Sequence, residues 1–125
     1  MKLVAIKEHH LYDKTFRKGN RFVGKCVAVY VQRDFAAKKL MSADPEKRYH
    51  NRVGLSVGKK IGGAVKRNRA KRILRAAYCE VRGEGLATGY LIVLAAREEI
   101  RDKKSGQVAA ELRRAFRYLG LLSDR

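Results

Sequence analysis

"RVGLSVGKKIGGAVKRNRAKRILRAAYCEVR", residues 52–82, is the stretch that decides the fold of this chain. Its first seven residues alternate between apolar and small or polar side chains, as a β-strand with one covered face requires. From residue 64 onward, apolar residues recur at helical spacing, which predicts an amphipathic helix over residues 64–82. Gly62 and Gly63 separate the two periods. A strand that leads directly into a long helix is therefore predicted.

The predicted helix divides its side chains between two opposite sides. The side that can pack on a sheet carries Ala70, Ile73, Leu74, Ala77, Tyr78 and Val81. The opposite, basic side carries Asn68, Lys71, Arg72 and Arg75, with Arg69 at its edge. Lys66 and Arg67 fall in the first turn, from which a long side chain can reach past the end of the helix.

The basic side is open to two interpretations, a solvated helix face and a surface that binds phosphate. A solvated basic helix normally carries acidic partners one turn away, yet the first acidic residue after the run is Glu80. The N-terminal end of a helix also attracts phosphate through its unpaired N–H groups and its dipole. We therefore interpret the basic side as a phosphate-binding surface.

The composition of the whole chain points to a polyanionic partner. Thirty Lys and Arg against twelve Asp and Glu give a formal net charge of +18 over 125 residues. Nucleic acid fits this charge better than an anionic membrane, because the predicted helices use their apolar faces for a core. No apolar run reaches the ~18 residues of a membrane span. Cys26 and Cys79 suggest no disulfide framework, so we expect a cytoplasmic protein. The length of the chain predicts a single domain over residues 1–125.

The N-terminal half predicts one helix and one strand before the decisive stretch. "EHHLYDKTFRKG" predicts a helix over residues 8–18, with Gly19 as a left-handed C-cap. "KCVAVYVQ", residues 25–32, alternates as a strand. One face of this strand carries Val27, Val29 and Val31, and the other carries Cys26, Ala28, Tyr30 and Gln32. Residues 33–51 predict a long polar connection, with an extension of one or both neighbouring strands as the open alternative.

The C-terminal part predicts one more strand and one more helix. "GYLIVLAA", residues 89–96, is apolar throughout, as in a strand covered on both faces. An amphipathic helix follows, with Ser105 as its expected N-cap. The order helix, strand, strand, helix, strand, helix predicts an α+β fold with helices packed on a small sheet.

An aromatic cluster is predicted beside the first helix. If that helix lies along the sheet face opposite the valines, Tyr12 and Phe16 line a groove with Tyr30, next to small residues such as Ala28. Aromatic rings beside small residues and positive charge suit the stacking of single-stranded bases. Spacing alone leaves an equal alternative, in which Tyr12 and Phe16 are core residues that hold the helix down.

The sequence offers little support for catalysis by side chains or for a metal site. His9, His10 and His50 have no partner at the spacing of a metal site or a catalytic triad. The acidic residues are scattered, with no pair placed for metal-assisted phosphodiester hydrolysis. We therefore expect a binding protein with no catalytic residue and no metal ligand.

The string "GLSVGKKIGGAVKRNRAKRILRAAY", residues 54–78, resembles the signature region of the bacterial ribonuclease P protein subunit, with Arg67-Asn68-Arg69 as its hallmark. The resemblance extends more loosely to most of the chain. It implies a compact α-β sandwich similar to the second domain of ribosomal protein S5, with a small mixed sheet and a left-handed β-α-β crossover through the basic helix. It also implies a ribonucleoprotein that removes the 5′ leader of precursor tRNA, in which the RNA and its magnesium ions perform the chemistry.

Site residues are assigned by matching positions to this family. The resemblance implies a leader-binding cleft formed by Tyr12, Phe16, Ala28 and Tyr30. It implies contacts with the catalytic RNA and the nearby leader by Lys59, Lys60, Lys66, Arg67, Asn68, Arg69, Lys71, Arg72 and Arg75. The expected partners are the catalytic RNA and the precursor leader, with no membrane and no obligate protein partner. Magnesium is required by the holoenzyme, and no cofactor is expected on protein ligands.

Two other functions compete with this one. A structural ribosomal protein or a general RNA chaperone could use the same basic helix on ribosomal RNA. A standalone protein nuclease is disfavoured because the sequence lacks a carboxylate or histidine pair for the reaction. The aromatic residues together with the Arg-Asn-Arg string favour the ribonuclease P subunit.

Overall fold

A mixed β-sheet is the centre of the computed structural model, which describes residues 4–6, 9–34 and 51–123. In those ranges the strands are β1 (Val4–Ala5), β2 (Asn20–Val23), β3 (Val27–Arg33), β4 (Arg52–Ser56) and β5 (Tyr90–Ala96). Their order across the sheet is β1-β4-β5-β3-β2. β3 runs antiparallel to β2 and β5, whereas β4 runs parallel to β5 and to β1.

Three α-helices pack on this sheet in the described ranges. They are α1 (His9–Lys18), α2 (Ala64–Arg82) and α3 (Ser105–Tyr118), and 3₁₀ helices span Lys59–Ile61 and Glu98–Asp102. α2 joins the parallel neighbours β4 and β5, so the predicted β-α-β crossover is confirmed, while its left-handed sense stays a prediction. α1 lies on one face of the sheet, and α2 and α3 lie on the other. The predicted α+β sandwich is confirmed.

The main core lies between the sheet and the pair α2 and α3. Val27, Val29 and Val31 of β3 point into it, as the alternation of that strand predicts. The six apolar residues predicted for the buried side of α2 are the six that are buried, and α2 begins and ends at the predicted residues. Helical periodicity therefore located both the helix and its packing side, because a 19-residue helix on a sheet must bury one stripe.

A buried carboxylate on α3 holds the turn between β2 and β3. Glu111 accepts hydrogen bonds at Oε1 from the backbone N–H groups of Cys26 (3.1 Å) and Val27 (3.2 Å). The Cys26 thiol donates to Oε2 at 2.9 Å. Burial, with the Glu111 carboxylate beside the thiol, raises the pKa of Cys26 to about 12. Cys26 is therefore a neutral thiol in the core, before β3 begins, and its predicted place on the outer face of that strand is wrong.

A buried ion pair joins the end of β3 to the start of β4. Arg52 donates to Asp34 through Nε (2.7 Å) and Nη2 (2.8 Å), and these side chains are only 7% and 2% exposed. Asn51 is buried beside them and accepts a hydrogen bond from the Tyr90 N–H group at 3.0 Å. Both ends of the long connection are thus fixed to the sheet, while most of the predicted 33–51 segment lies outside the described residues.

Gly19 and Ser105 play other roles than those predicted. Gly19 is not among the described glycines with positive φ, so it is not a left-handed cap. A Cβ at Gly19 would instead lie 2.5 Å from the Thr15 carbonyl oxygen and 2.7 Å from that of Val31, so close backbone approach requires glycine. Ser105 is the first residue of α3, and Lys104 is the N-cap, whose N–H group donates to Gln107 Oε1 at 2.9 Å.

Short strands and strand ends account for the remaining differences. β1 and β2 have two and four residues, and neither was predicted, because an alternating pattern needs more positions to stand out. β4 ends at Ser56 rather than at Gly58, since the chain leaves the sheet there to enter the first 3₁₀ helix.

The buried ion pair predicts a large loss of stability when one partner is removed. Asp34→Ala leaves the Arg52 guanidinium buried without this carboxylate, so we expect the free energy of unfolding to fall by about 3–5 kcal/mol in a denaturant titration. Glu84→Ala is the matched control, because it removes a carboxylate that pairs with Arg113 at the surface (2.7 Å) and should have a much smaller effect. Equal losses in the two variants would contradict the structural role of the buried pair.

Candidate nucleic-acid interface

The basic side of α2 faces solvent, as its packing requires. The exposed residues among those predicted to bind RNA on this helix are Lys66, Asn68, Arg69, Arg72 and Arg75, and those that are partly covered are Arg67 and Lys71. No acidic residue lies in the first turn, and the N-cap Gly63 makes no side-chain capping bond. Positive side chains and the positive end of the helix dipole therefore lie together at this end of α2.

A glycine turn brings the first 3₁₀ helix against the start of α2. Gly62 has a φ of 133°, a conformation that favours glycine. A Cβ at this position would also lie 2.7 Å from Lys66 Cδ. The turn places Lys59 and Lys60, both exposed, directly before the basic helix.

The two lysines of the 3₁₀ helix line a cavity of about 820 Å³ at one end of the sheet. Its lining residues are Lys25, Gly58, Lys59, Lys60, Ile61, Ala96, Arg97, Glu98 and Glu99. β2, β4 and β5 end here and β3 begins here, so loops that are distant in sequence bring their basic side chains together. Lys25 and Arg97 were not predicted as site residues, because each is an isolated basic residue in a loop.

The predicted aromatic cluster forms on the opposite face of the sheet, under α1. The Phe16 and Tyr30 ring centroids are 4.7 Å apart, and those of Tyr12 and Phe16 are 5.4 Å apart. Tyr12 lies over Gly54, where a Cβ would come within 2.4 Å of the Tyr12 ring. Gly54, Val93 and Tyr30 pair in register across β4, β5 and β3, so they form one row beneath the helix.

Small residues form the next row of this face. Ser56, Ala95 and Ala28 pair in register, and Ala28 is 4% exposed. Burial raises the pKa of Tyr12, and its hydrogen bond with Ser56 opposes that rise. The rings of Tyr12, Phe16 and Tyr30 thus stand beside a floor with little side-chain volume.

Thr15 is more deeply buried than the aromatic rings of the cluster. Thr15 is fully buried, and its hydroxyl donates to the Leu11 carbonyl oxygen at 2.8 Å. Tyr12, Phe16 and Tyr30 are only partly buried, so none of the three rings is enclosed in a core. The structure brings these rings together as predicted, while the basic side of α2 lies on the other side of the sheet.

Arg69 makes contacts that sequence reasoning did not foresee. Its Nη1 donates to the Arg101 carbonyl oxygen at 3.2 Å, and its Nη2 donates to the Lys103 carbonyl oxygen at 3.1 Å. These acceptors lie 32 and 34 residues further along the chain, so a local sequence pattern cannot predict these hydrogen bonds. Arg69 therefore connects α2 to the segment that leads into α3.

The described residues show neither a metal-binding cluster nor a helix suited to a membrane. In residues 4–6, 9–34 and 51–123, no group of three or more His, Cys, Asp or Glu side chains could hold a metal ion. His9 lies 3.6 Å from Asp13 at the surface, and His50 is outside the described residues. No helix in the same ranges is long and apolar enough to span a bilayer.

Comparison with known sequences identifies relatives over nearly the whole chain. Residues 1–120 match the family model described as Ribonuclease P. A Ribonuclease P protein component from Oceanobacillus iheyensis is 34% identical over 123 residues, which cover 98% of this chain and 92% of the relative. The protein of the same name from Clostridium acetobutylicum is 27% identical over 122 residues, covering 98% and 93%.

Solved structures show the same fold. The ribonuclease P protein of Staphylococcus aureus superposes with a TM-score of 0.73 at 24% identity, covering 98% of this chain and 100% of that one. The ribonuclease P protein of Thermotoga maritima superposes with a TM-score of 0.64 at 19% identity, covering 90% and 92%. The arrangement of sheet and helices is thus shared with these proteins.

The contact between Gly54 and Tyr12 predicts a position-specific effect of one added methyl group. Gly54→Ala should displace the Tyr12 ring and lower the free energy of unfolding by about 1–3 kcal/mol, because the site has no room for a Cβ. Gly58→Ala is the matched control, since a Cβ there meets nothing within 4 Å. Denaturant titration of both variants measures the effect. Equal stability of Gly54→Ala and the parent would show that Tyr12 is not seated on β4.

Proposed function

The chain belongs to the ribonuclease P protein family, and on that premise we propose that its basic helix binds the catalytic RNA while the cleft under α1 holds the 5′ leader of precursor tRNA. Proteins of this family are components of the ribonuclease P holoenzyme, which processes the 5′ ends of tRNA. The observation that carries the proposal is the division of α2 into a buried apolar side and an exposed basic side. The family assignment favours this function over a ribosomal protein or a general RNA chaperone.

The contacts with the catalytic RNA are proposed for the basic residues that precede and line α2. Lys59 and Lys60 lie in the 3₁₀ helix before α2, and Lys66 and Arg67 lie in its first turn. Asn68, Lys71, Arg72 and Arg75 follow along the exposed side. Side chains of this kind bind phosphate oxygens and release counterions, so affinity for the RNA should fall steeply as salt rises.

The contacts with the leader are proposed for the aromatic cluster. Tyr12, Phe16 and Tyr30 offer ring faces and edges next to the floor of small residues that includes Ala28. A single-stranded base has a π-face of its own, so it can stack on such rings whatever its identity. This suits a leader whose sequence differs from one precursor to the next.

The chemical step is assigned to the RNA. We assign the magnesium ions required by the holoenzyme to the RNA as well, and we propose no magnesium ligand among the protein side chains. The protein's part is to hold the leader and to neutralise phosphates where the two RNA chains approach each other. We place this activity in the cytoplasm, with no membrane and no obligate protein partner.

Cleavage should depend on the RNA subunit. Purified protein with magnesium should leave precursor tRNA intact, because no side chain is proposed to act on the phosphodiester bond. Addition of the ribonuclease P RNA should give cutting at the mature 5′ end, measured by gel electrophoresis of end-labelled precursor. Cutting at that position by protein free of RNA and of contaminating nuclease would refute the assignment of catalysis to the RNA.

Removal of one ring from the cleft should weaken the binding of precursor tRNA. Tyr30→Ala should cost on the order of 1–3 kcal/mol in precursor binding by the holoenzyme, the usual contribution of one stacked base. Mature tRNA has no leader, so its affinity should not change. Titrations of both RNAs at fixed salt measure the difference.

Tyr118→Ala is the matched control for this ring deletion. Tyr118 is 73% exposed and lies at the end of α3, beside Phe22 rather than in the cleft. Its removal should leave the preference for precursor tRNA unchanged. If Tyr30→Ala lowers the melting temperature and keeps the preference, the ring packs the core and the leader binds elsewhere.

A further inference from the structure

Residues 101–104 comprise the end of the second 3₁₀ helix and the connection to α3, and hydrogen bonds hold this segment on both of its sides. On the side of the 3₁₀ helix, the Lys103 N–H group donates to the Ile100 carbonyl oxygen at 3.1 Å. The Lys104 carbonyl oxygen accepts from the Gln107 N–H group at 3.0 Å. Arg69 holds the middle of the segment to α2 through the carbonyl oxygens of Arg101 and Lys103. Residues 101–104 therefore have a defined position against the basic helix.

This arrangement suits arginine in particular. The two terminal nitrogens of one guanidinium each donate to a carbonyl oxygen, and the planar fork fixes the angle between the two bonds. A lysine ammonium carries the same charge on a single nitrogen, so it lacks this fixed spacing. The second arginine of the Arg-Asn-Arg segment is thus engaged with backbone, although its side chain lies at the surface.

Two clefts flank Arg69, and each has basic side chains from both elements. A cleft of about 420 Å³ is lined by Ile61, Lys66, Arg69, Ala70, Arg101 and Asp102. A smaller cleft of about 280 Å³ is lined by Arg69, Arg72, Ile73, Ala76, Lys104 and Ser105. In the larger cleft, Lys66 of α2 lies with Arg101. In the smaller cleft, Arg72 of α2 lies with Lys104.

The charge in these clefts points to an anionic ligand. Asp102 offsets part of the charge in the larger cleft, while the lining of the smaller cleft includes no acidic residue. Like charges that the fold holds on two sides of a cleft repel each other, and an anion bound between them removes that repulsion. In a protein that binds RNA, the anion of matching chemistry is a backbone phosphate.

We propose that the RNA-binding surface is built from two elements, the basic side of α2 and residues 101–104, and that Arg69 is the positioning residue that joins them. Arg101 and Lys104 bind phosphates of the ribonuclease P RNA together with Lys66 and Arg72. Arg69 acts through its bonds to the connection rather than through a phosphate of its own. This inference rests on the proposed function, since it concerns the same RNA.

The test measures affinity for the ribonuclease P RNA between 50 and 200 mM salt. The parent is compared with Arg69→Ala, Arg69→Lys, Arg101→Ala, Lys104→Ala and the double variant Arg69→Ala/Lys104→Ala. Loss of one phosphate contact flattens the plot of log affinity against log salt by about one unit, which is about fourfold over this range. We expect this change for Arg101→Ala and for Lys104→Ala.

The two Arg69 variants distinguish a positioning role of this residue from a direct contact with phosphate. If Arg69 positions the connection, Arg69→Lys should lose as much affinity as Arg69→Ala, because charge alone does not restore the two bonds. Lys104→Ala should then cost nothing further in the Arg69→Ala background. Retention of parental affinity by Arg69→Lys, or additive losses in the double variant, would overturn the inference.

Arg114→Ala serves as the charge-matched control, because it removes an exposed arginine of α3 that lines neither cleft. The salt dependence of its RNA affinity should equal that of the parent. A slope reduced as much as in Lys104→Ala would overturn the inference that phosphates bind at these clefts. Arg101→Ala and Lys104→Ala keep Arg69, so they test the surface even if the Arg69 variants unfold. A parent protein that fails to bind the RNA would instead refute the proposed function.

Discussion

The packing of one side of α2 on the sheet is the constraint on which the remaining structure depends. α2 joins the parallel neighbours β4 and β5, so its position over the sheet is set by both of its ends. Its apolar stripe is buried, with exposures from 0% for Leu74 to 9% for Ile73. Because that stripe is occupied by the core, Arg69, Arg72 and Arg75 are left exposed on the rest of the helix. The exposed basic surface is therefore a consequence of the fold.

Two buried carboxylates hold the two ends of β3 through hydrogen bonds. Glu111 holds the β2–β3 turn at one end, and Asp34 joins β3 to β4 through Arg52. Each accepts hydrogen bonds from buried donors, and polar groups buried without such bonds are costly in a protein interior. They lie at the two ends of β3, the strand that carries Tyr30, so polar contacts as well as apolar packing hold that strand in place.

The features that the sequence predicted are those with local signatures. The bounds and buried side of α2 and the alternation of β3 follow from periodicity within one segment, and β5 follows from a continuous apolar run. The cluster of Tyr12, Phe16 and Tyr30 was predicted on the condition that α1 lies along the face opposite the valines of β3, and α1 does lie there. The ion pair of Asp34, the role of Glu111 and the bonds of Arg69 were missed, since each partner lies 18 to 85 residues away. The close backbone approach at Gly19 was not predicted, because one of the two carbonyl groups involved belongs to Val31 of β3, which is distant in sequence.

The aromatic cleft and the basic helix lie on opposite faces of the sheet, and one end of the sheet connects them. β4 ends at Ser56, in the floor of the cleft, and the chain reaches Lys59 and Lys60 within four residues. Lys25 and Arg97 reach the same end from neighbouring loops and line the same cavity. In the proposed function, an RNA strand that leaves the cleft at this end meets these basic side chains before it meets α2. The proposed cleft for bases and the proposed surface for phosphates therefore lie on opposite faces but meet at this edge, which suits two RNA chains that approach each other there.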